Sequence, residues 1–441
     1  MPKALLLSLE HRSRNPRSAS LEELAEYRSR RRLWNMPHLG LLTVGALLAP
    51  KYDVDYVDLE YDTLPQTRYD CVFLSPTTPQ VRKAYVLAEQ FQKRGMRVIM
   101  GGPHATMLPE EALKHADAVF VGEAERSIGD FLSDSGKRLY SDEQKPPLSE
   151  SPLPLYELAA KYPYSSMPIQ LSRGCPHRCE FCLSTAIYGG RVRRKDPEQA
   201  EKELAQLVRL FKNPFVFFTD DNFFTGHRDV HALLDLLSRT GVRWYAFTDI
   251  SVYRRKDILS RLYDAGCRKL LIGFESLDAE ALRTVNPSGF KKSRIQERYE
   301  AVEAIQRQRI GVIGSFVLGL ERDTEQTFED IYRFIWESTM YGTNLTVATP
   351  FPGTAFYRRM QETEKLPDNW DLYDGFTLLY KLRGLPEGAF EKKYEALLRR
   401  VNSPERVRRV MTYFHALDRA AAAEKSLNRQ ILKENGLTEG I

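Results

Sequence analysis

Three cysteines stand close together in a chain of 441 residues that holds only five. Cys175, Cys179 and Cys182 follow the apolar run PIQLSRG, and a flanking glycine and proline favour an irregular loop over a helix. Such a loop can turn three thiols toward one point, and three thiolates suit a soft metal or an iron–sulfur cluster. Because three cysteines leave one iron of a four-iron cluster without a protein ligand, this loop is a candidate catalytic centre.

Structural zinc is the simplest alternative to a cluster. It requires four closed ligands, and His177 lies inside the cysteine triplet as a possible fourth. Only one residue separates His177 from Cys179, so simultaneous coordination would strain the loop. We therefore favour the cluster, and a non-catalytic, zinc-stabilised binding protein remains an alternative of a different class.

Composition indicates a globular protein, with 42% hydrophobic residues, 28% charged residues and a net charge of +5. No apolar run is long enough to span a membrane, and the opening residues lack the features of a secretory signal. Five cysteines without a disulfide pattern suggest a reducing compartment, so we expect a cytoplasmic location. The basic run Arg28–Arg32 is best explained as a solvated helix face rather than a phosphate contact, and we expect no nucleic-acid partner.

The first 138 residues alternate short β-rich runs with helical ones, which predicts a doubly wound, Rossmann-like parallel sheet. The predicted strands are ALLLSL, YDVDYVDL, DCVFLSP, RVIMGG and AVFVG, and the main helices are HLGLLTVGALLAP and QVRKAYVLAEQFQKRG. Ligands of such sheets bind beyond the carboxyl ends of the strands. Three loops at those ends should therefore form one cleft, and their residues are Ser75, Thr77 and Thr78; Gly101, Gly102 and His104; and Gly122 and Glu123.

Residues 139–165 are rich in proline and are predicted to form a linker. Residues 166–362 hold six further β/α units, from PIQLSRG to NLTVATP, which predicts a partial barrel with its chemistry at the carboxyl ends of the strands. Residues 363–441 are predicted to be helical, beginning at DNWDLYDGF. Four aromatic residues there could select a substrate or, as we favour, pack as helix core: Trp370, Tyr373, Phe376 and Tyr380.

The cysteine spacing, CxxxCxxC with an aromatic residue before the last cysteine, resembles the radical S-adenosylmethionine (SAM) superfamily. The resemblance implies that Cys175, Cys179 and Cys182 bind a 4Fe–4S cluster, whose open iron chelates the methionine part of SAM. It also implies reductive cleavage of SAM to a 5′-deoxyadenosyl radical, with Phe181 near the adenine.

Other motifs resemble the SAM-binding elements of that family at successive strand ends. Asp220 and Asp221 match the segment that receives the methionine ammonium, and a carboxylate is a suitable partner for a cation. Glu275 and Ser276 match a polar cofactor contact. Gly314 and Phe316 match the strand that packs against adenine, and Pro350 matches the loop after the sixth strand.

The first domain resembles the cobalamin-binding domain that precedes many radical SAM enzymes. The resemblance rests on HLGLLTVGALL, SPTT, GGPHAT and VGEAERSI. The Asp-x-His-x-x-Gly segment that supplies a cobalt ligand in other cobalamin proteins is absent, since the similar Asp229-Val230-His231 lacks the glycine and lies in the barrel. The resemblance therefore implies cobalamin without a histidine on cobalt, and we prefer a hydrogen-bonding or structural role for His104.

Taken together, the motifs are most similar to the cobalamin-type radical SAM group that includes hopanoid and bacteriochlorophyll C-methylases. The resemblance implies a C-methyltransferase that acts at an unactivated carbon of a small molecule. An electron donor such as flavodoxin or ferredoxin is the expected protein partner. A radical SAM enzyme that performs oxidation, cyclisation, rearrangement or another radical transfer, with or without cobalamin, remains the main alternative.

Overall fold

A computed structural model of the chain describes residues 1–10, 34–142, 144–225, 230–286 and 288–434. The first domain is built on a six-stranded sheet with parallel pairing throughout. Its strands are β1 (Lys3–Ser8), β2 (Asp53–Asp58), β3 (Cys71–Leu74), β4 (Arg97–Met100), β5 (Ala118–Val121) and β6 (Leu139–Ser141). They lie in the order β2-β1-β3-β4-β5-β6, and the doubly wound sheet predicted from the sequence is confirmed.

Helices cover both faces of this sheet, which explains why its strands are almost continuously apolar. Leu5 and Leu7 of β1 pack into one core cluster and Leu6 into the other, because successive side chains of a strand point to opposite faces. The described helices of this domain are α1 (Leu39–Leu48), α2 (Val81–Lys93), α3 (Gly102–Met107), α4 (Pro109–Ala112) and α5 (Ile128–Leu132).

The second domain is an open, parallel, six-stranded barrel, as the β/α alternation predicts. Its strands are β7 (Met167–Ile169), β10 (Phe215–Phe218), β11 (Arg243–Thr248), β12 (Cys267–Glu275), β13 (Gly311–Leu318) and β14 (Gly342–Val347). Neighbours in the sheet are neighbours in sequence, from β7 at one edge to β14 at the other. Between β7 and β10, the antiparallel pair β8 (Ser172–Arg173) and β9 (Arg193–Arg194) flanks the cysteine loop, and this pair was not predicted.

Helices surround the barrel, and aromatic side chains fill its interior. Phe217, Tyr245, Leu271 and Ile313 form an inner layer against which Trp34 packs from the start of the first domain. The described helices are α6 (Leu183–Tyr188), α7 (Pro197–Leu210), α8 (Val230–Thr240), α9 (Lys256–Leu259), α10 (Ala279–Val285), α11 (Phe290–Ser293), α12 (Arg298–Arg307) and α13 (Glu325–Glu337).

The C-terminal part contains the helices α14 (Ala355–Thr363), α15 (Ala389–Val401) and α16 (Pro404–Glu434). The prediction that a helix begins at DNWDLYDGF is wrong, since residues 364–388 form turns and bends apart from the 3₁₀ turn Trp370–Leu372. Asp374 Oδ1 accepts hydrogen bonds from the backbone N–H of Phe376 (2.8 Å) and Thr377 (2.9 Å). Such side-chain-to-backbone bonds stabilise a turn in competition with a helix.

Three further points concern the sequence predictions. The strand β6 takes up the first residues of the predicted linker. The basic run Arg28–Arg32 lies outside the described residues. Within the described ranges, no helix has both the length and the apolar character needed to cross a membrane.

Candidate active site

The cysteine loop connects β8 to α6, and a glycine at its entrance is required by the backbone. Gly174 has φ of +102°, and a Cβ at this position would overlap the carbonyl oxygen of Arg191. The next residue, Cys175, donates its backbone N–H to the carbonyl of Gly189 at 3.3 Å. A side chain at residue 174 would therefore push the loop away from the segment at residues 189–191 that supports it.

The three thiols lie between the protein interior and the surface. Cys175 and Cys182 are partly exposed, and Cys179 is 9% exposed. Burial raises the pKa of the Cys175 thiol to about 11 and that of the Cys179 thiol to about 12, so metal binding there displaces protons. Among the described residues, no three His, Cys, Asp or Glu side chains meet at one point as ligands of a single ion do. An iron–sulfur cluster binds its cysteine ligands through different iron atoms, so the three thiols need not converge on one ion. Three soft sulfur donors on one loop suit such a cluster.

His177, the possible zinc ligand, makes contacts within the protein. Its Nε2 lies 3.1 Å from Asp249 Oδ2, and its ring stacks on Phe290 at a centroid distance of 4.2 Å. Burial would raise the pKa of Asp249, but hydrogen bonds from His177, Ser251 and Asn222 outweigh burial and lower that pKa. These contacts support a structural role for His177.

The two aspartates that follow β10, Asp220 and Asp221, accept hydrogen bonds from residues at the entrance of the cysteine loop. Asp220 has no exposed surface, and its carboxylate accepts from the Leu171 N–H at 3.0 Å and from Ser172 Oγ at 2.5 Å. Asp221 Oδ2 accepts from the Gly174 N–H at 2.7 Å. Both oxygens of Asp220 thus accept hydrogen bonds inside the protein, and its contact with the methionine ammonium stays a prediction. Asp221 is partly exposed, and its contact with SAM stays a prediction.

The end of β12 is held by an ion pair whose two side chains are 10% and 12% exposed. Glu275 adopts φ of +62°, and its Oε1 lies 2.6 Å from Lys291 Nζ, which also donates to the Gly273 carbonyl at 2.8 Å. Ser276 is 2% exposed, and its Oγ accepts from the Asp278 N–H at 3.1 Å. Ser276 is thus buried in a turn, and the cofactor contacts of Glu275 and Ser276 stay predictions.

The predicted adenine-packing side chains of β13 point away from the barrel interior. Phe316 has no exposed surface, stacks on Phe274 at 5.6 Å and contacts Phe334 of α13 edge-on at 6.1 Å. A Cβ on Gly314 would overlap Met340 Sδ. Gly314 and Phe316 share one strand face, and Ile313 and Ser315 lie on the other, so the adenine contact of this strand stays a prediction.

Two further predicted residues lie near these elements. Phe181 is partly exposed beside the last cysteine, and Pro350 is buried in the loop after β14. This loop abuts the first domain, since a Cβ on Gly353 would overlap Met107 Sδ. The contacts of Phe181 and Pro350 with SAM stay predictions.

Six of the eight residues predicted for the first-domain cleft line a single cavity. The cavity measures about 410 Å³, or about 1550 Å³ with its open mouth included. Gly102 has φ of +80°, and a Cβ there would overlap Ser75 Oγ; Gly122 has φ of +78°, with open space where its Cβ would lie. The six residues are Ser75, Thr77, Gly101, Gly102, Gly122 and Glu123.

The other two predicted residues, Thr78 and His104, lie outside this lining. Thr78 is 3% exposed in a 3₁₀ turn. His104 is 1% exposed, with its Nε2 3.4 Å from Glu111 Oε1 and its ring edge-on to Trp370 at 5.3 Å. Both residues are buried outside the cavity lining, and their assignment to a cofactor stays a prediction; the contacts of His104 with Glu111 and Trp370 support the structural role that we preferred for it.

The barrel forms the opposite wall of the same cavity. Pro168 and Gln170 at the end of β7, Thr219 after β10 and Tyr188 at the end of α6 all line it. The remaining walls are mainly apolar and come from α1 and the first sheet. Gly122 also lines the cavity, with nothing within 4 Å of the position that its Cβ would occupy. An apolar cleft with glycine loops fits a flat corrinoid, and these loops together with α1 would hold it.

A buried ionic cluster joins the cavity to the cysteine loop. Arg173, which directly precedes the loop, lies 2.5 Å from Glu123 Oε2 and 2.8 Å from Glu125 Oε1. Arg193 Nη2 lies 2.5 Å from Glu123 Oε1. Burial opposes ionisation of Glu123, yet the two arginines outweigh it and lower the pKa of this carboxyl. The sequence did not indicate these partners, which are 50 and 70 residues apart.

Comparison with known families agrees with this arrangement. The family model described as "Radical SAM superfamily" matches residues 169–335, and the one described as "B12 binding domain" matches residues 33–132. The chain is therefore a radical SAM enzyme. Because a B12-binding domain precedes the radical SAM domain, the chain belongs to the cobalamin-binding group of these enzymes. The predicted family and cofactors, a 4Fe–4S cluster, SAM and cobalamin, are confirmed at the level of the domains.

Individual relatives carry methyltransferase names. The chain is 29% identical over 399 residues to the bacteriochlorophyllide d C-12(1)-methyltransferase of Chlorobaculum tepidum, covering 83% of this chain and 86% of the relative. It is 28% identical over 355 residues to the hopanoid C-2 methylase of Rhodopseudomonas palustris, covering 75% and 65%. The solved radical SAM methyltransferase TsrM from Kitasatospora setae, with cobalamin and cluster bound, has a TM-score of 0.64 at 15% identity, covering 92% of this chain and 90% of that one. This last likeness shows a shared fold.

Proposed function

We propose that this chain is a cobalamin-dependent radical SAM methyltransferase that adds a methyl group to an unactivated carbon of a small molecule. The observation that carries the proposal is the shared cavity. Loops of the first sheet and strand ends of the barrel line one space, and Arg173 connects that space to the cysteine loop. This arrangement supports a substrate position between the two cofactor sites, since small-molecule sites are common at domain interfaces.

The proposed roles of the residues follow from their contacts. When bound, the cluster with SAM supplies an organic radical that takes a hydrogen atom, and cobalamin supplies the methyl group. Cys175, Cys179 and Cys182 would hold the cluster, while Asp221 fixes the loop entrance through the Gly174 N–H. The apolar walls of the cavity exclude water, which protects a reactive carbon from side reactions.

For the substrate we propose only its class, a small molecule. Two relatives are named for a bacteriochlorophyllide and a hopanoid, so these are the first compounds to test. A cytoplasmic location and an electron donor such as flavodoxin or ferredoxin are part of the same proposal. The three clustered thiols support the location, because cysteines that bind a metal must be kept reduced.

The test is an anaerobic assay of the reconstituted chain with SAM that carries a deuterated methyl group, a chemical reductant and each candidate substrate. Formation of S-adenosylhomocysteine and 5′-deoxyadenosine together, with one labelled methyl in the product, supports methyl transfer. Formation of 5′-deoxyadenosine with an unlabelled product supports a non-methylating radical reaction. A fully loaded enzyme that forms neither SAM product contradicts both.

A further inference from the structure

Asn286 contacts a predicted cluster ligand from a distant part of the chain. It follows α10 and has no exposed surface. Its side-chain Nδ2 donates to Cys179 Sγ at 3.4 Å and to the His177 carbonyl at 2.9 Å. A buried amide thus holds both the backbone and one sulfur of the cysteine loop.

The orientation of this amide is determined by its other end. Asn286 Oδ1 accepts from the backbone N–H of Lys291 at 3.2 Å and from Ser288 Oγ at 3.1 Å. A carbonyl oxygen can accept but cannot donate, and a backbone N–H can only donate. The NH₂ group must therefore face the loop, because exchanging the two ends would set two donors against each other at Lys291.

The residues after Asn286 cover the same loop. Phe290 stacks on His177, and the buried Lys291 ammonium attracts the Cys179 sulfur electrostatically. Lys291 also pairs with Glu275, so its position is fixed as well. Cys179 therefore receives a hydrogen bond and a positive charge from one short segment.

We propose that Asn286 is a positioning residue that raises the reduction potential of the cluster through its hydrogen bond to Cys179. Hydrogen bonds to ligating sulfurs and nearby charge are among the factors that set the potential of iron–sulfur clusters. A donated N–H stabilises electron density on sulfur, and the reduced cluster carries more of it. The inference rests on the proposed function in one respect, namely that Cys179 is a cluster ligand.

The test is a redox titration of the cluster in the reconstituted full chain, monitored by electron paramagnetic resonance without SAM. Asn286→Ala removes the donor without adding charge, whereas Asn286→Asp loses the donor, keeps the acceptor for Lys291 and adds a negative charge, which should lower the potential further. At the potential where the wild type is half reduced, we expect about a tenfold lower ratio of reduced to oxidised cluster in Asn286→Ala. For a one-electron couple this is a downward shift of about 59 mV.

Ser288→Ala is the matched control, because it removes a hydrogen bond to the same amide but leaves the Cys179 contact in place. We expect it to titrate with the wild type. Asn286 variants that hold the full cluster and titrate with the wild type overturn the inference. Variants that lose iron but keep their fold also overturn it, since they show a role in retention alone. A wild type without iron instead refutes the cysteine assignment.

Discussion

The cysteine loop and the first-domain cleft are built in opposite ways. Around the loop, polar groups are already paired within the protein: Asp221 with Gly174, His177 with Asp249, and Asn286 with Cys179. The cleft instead has mainly apolar walls and glycines that leave space. The difference shows that internal hydrogen bonds organise the cysteine loop, whereas the first-domain cleft is a largely apolar cavity. Substitutions should therefore act differently in each.

The largest effect is expected from the thiols. Cys179→Ala should reduce bound iron from about four per chain to near zero, because two thiolates cannot hold the cluster. Activity should fall to background, while cobalamin binding stays unchanged since the cleft does not use this residue. Metal analysis and corrinoid absorbance of the same sample check this. Cys267→Ala is the control, since Cys267 has no exposed surface and lies in the barrel core, and its iron content should match the wild type. Full iron content in Cys179→Ala would contradict the assignment.

The next largest effect concerns the link between the two sites. Arg173→Ala removes the arginine that pairs with the buried Glu125 and leaves Glu123 with Arg193 alone, and breaking a buried pair typically costs about 3–5 kcal/mol. We expect a loss of this size in the free energy of unfolding, measured by urea denaturation. The matched variant Arg126→Ala breaks an exposed pair with Glu150 and should be indistinguishable from the wild type. Equal losses in the two variants would show that the interface cluster is not specially stabilising.

A smaller effect should appear in the pH dependence of stability. Burial raises the pKa of Asp220 to about 7, so its stabilising contribution is complete below the unfolded pKa and is lost as pH rises through about 7. Asp220→Asn keeps an acceptor for the Leu171 N–H and carries no charge. It should shrink the stability difference between pH 5 and pH 8 by about 2 kcal/mol.

Urea denaturation of the cofactor-free chain at both pH values measures this difference. Some pH dependence of stability should remain in Asp220→Asn, because burial also raises the pKa of Asp323 to about 7. Asp323→Asn is thus the control outside the cysteine site, with a similar expected effect on stability. An unchanged difference in Asp220→Asn would mean that Asp220 is ionised in the folded protein across this range.

The smallest effect concerns the space that a glycine leaves in the first-domain cleft. Gly122 and Gly136 both have positive φ, of +78° and +71°, and nothing lies within 4 Å of a Cβ at either position. Alanine should cost each about 1 kcal/mol of stability through backbone strain. Only Gly122→Ala should weaken cobalamin binding, by about tenfold, because only Gly122 lines the cleft. Spectral titration with cobalamin measures the affinity, and equal affinities in the two variants would remove Gly122 from the site.

Local patterns made much of the fold predictable. The apolar runs predicted five of the six strands of the first sheet and all six of the barrel. Loops at the carboxyl ends of β3, β4 and β5 were expected to meet, since this follows from parallel strands. The cysteine loop was visible in the spacing alone. The period of two along β13 also predicts which of its residues share a face, since it places Gly314 and Phe316 together on the face opposite Ile313.

The supports of the site could not be predicted from the sequence because they join distant residues. Asn286 lies 107 residues from Cys179, and Arg173 lies 50 residues from Glu123. Neither pair has a local pattern, since each depends on how strands and helices pack in three dimensions. The contacts of Asp220 to β8 could not be predicted for the same reason, because they arise only when β7 and β10 are neighbours.

The most direct test of the central claim is a count of iron, zinc and corrinoid in one anaerobically reconstituted sample of the full chain. The account predicts about four irons and one corrinoid per chain, with little zinc. One zinc per chain, with neither iron nor corrinoid retained, would contradict it.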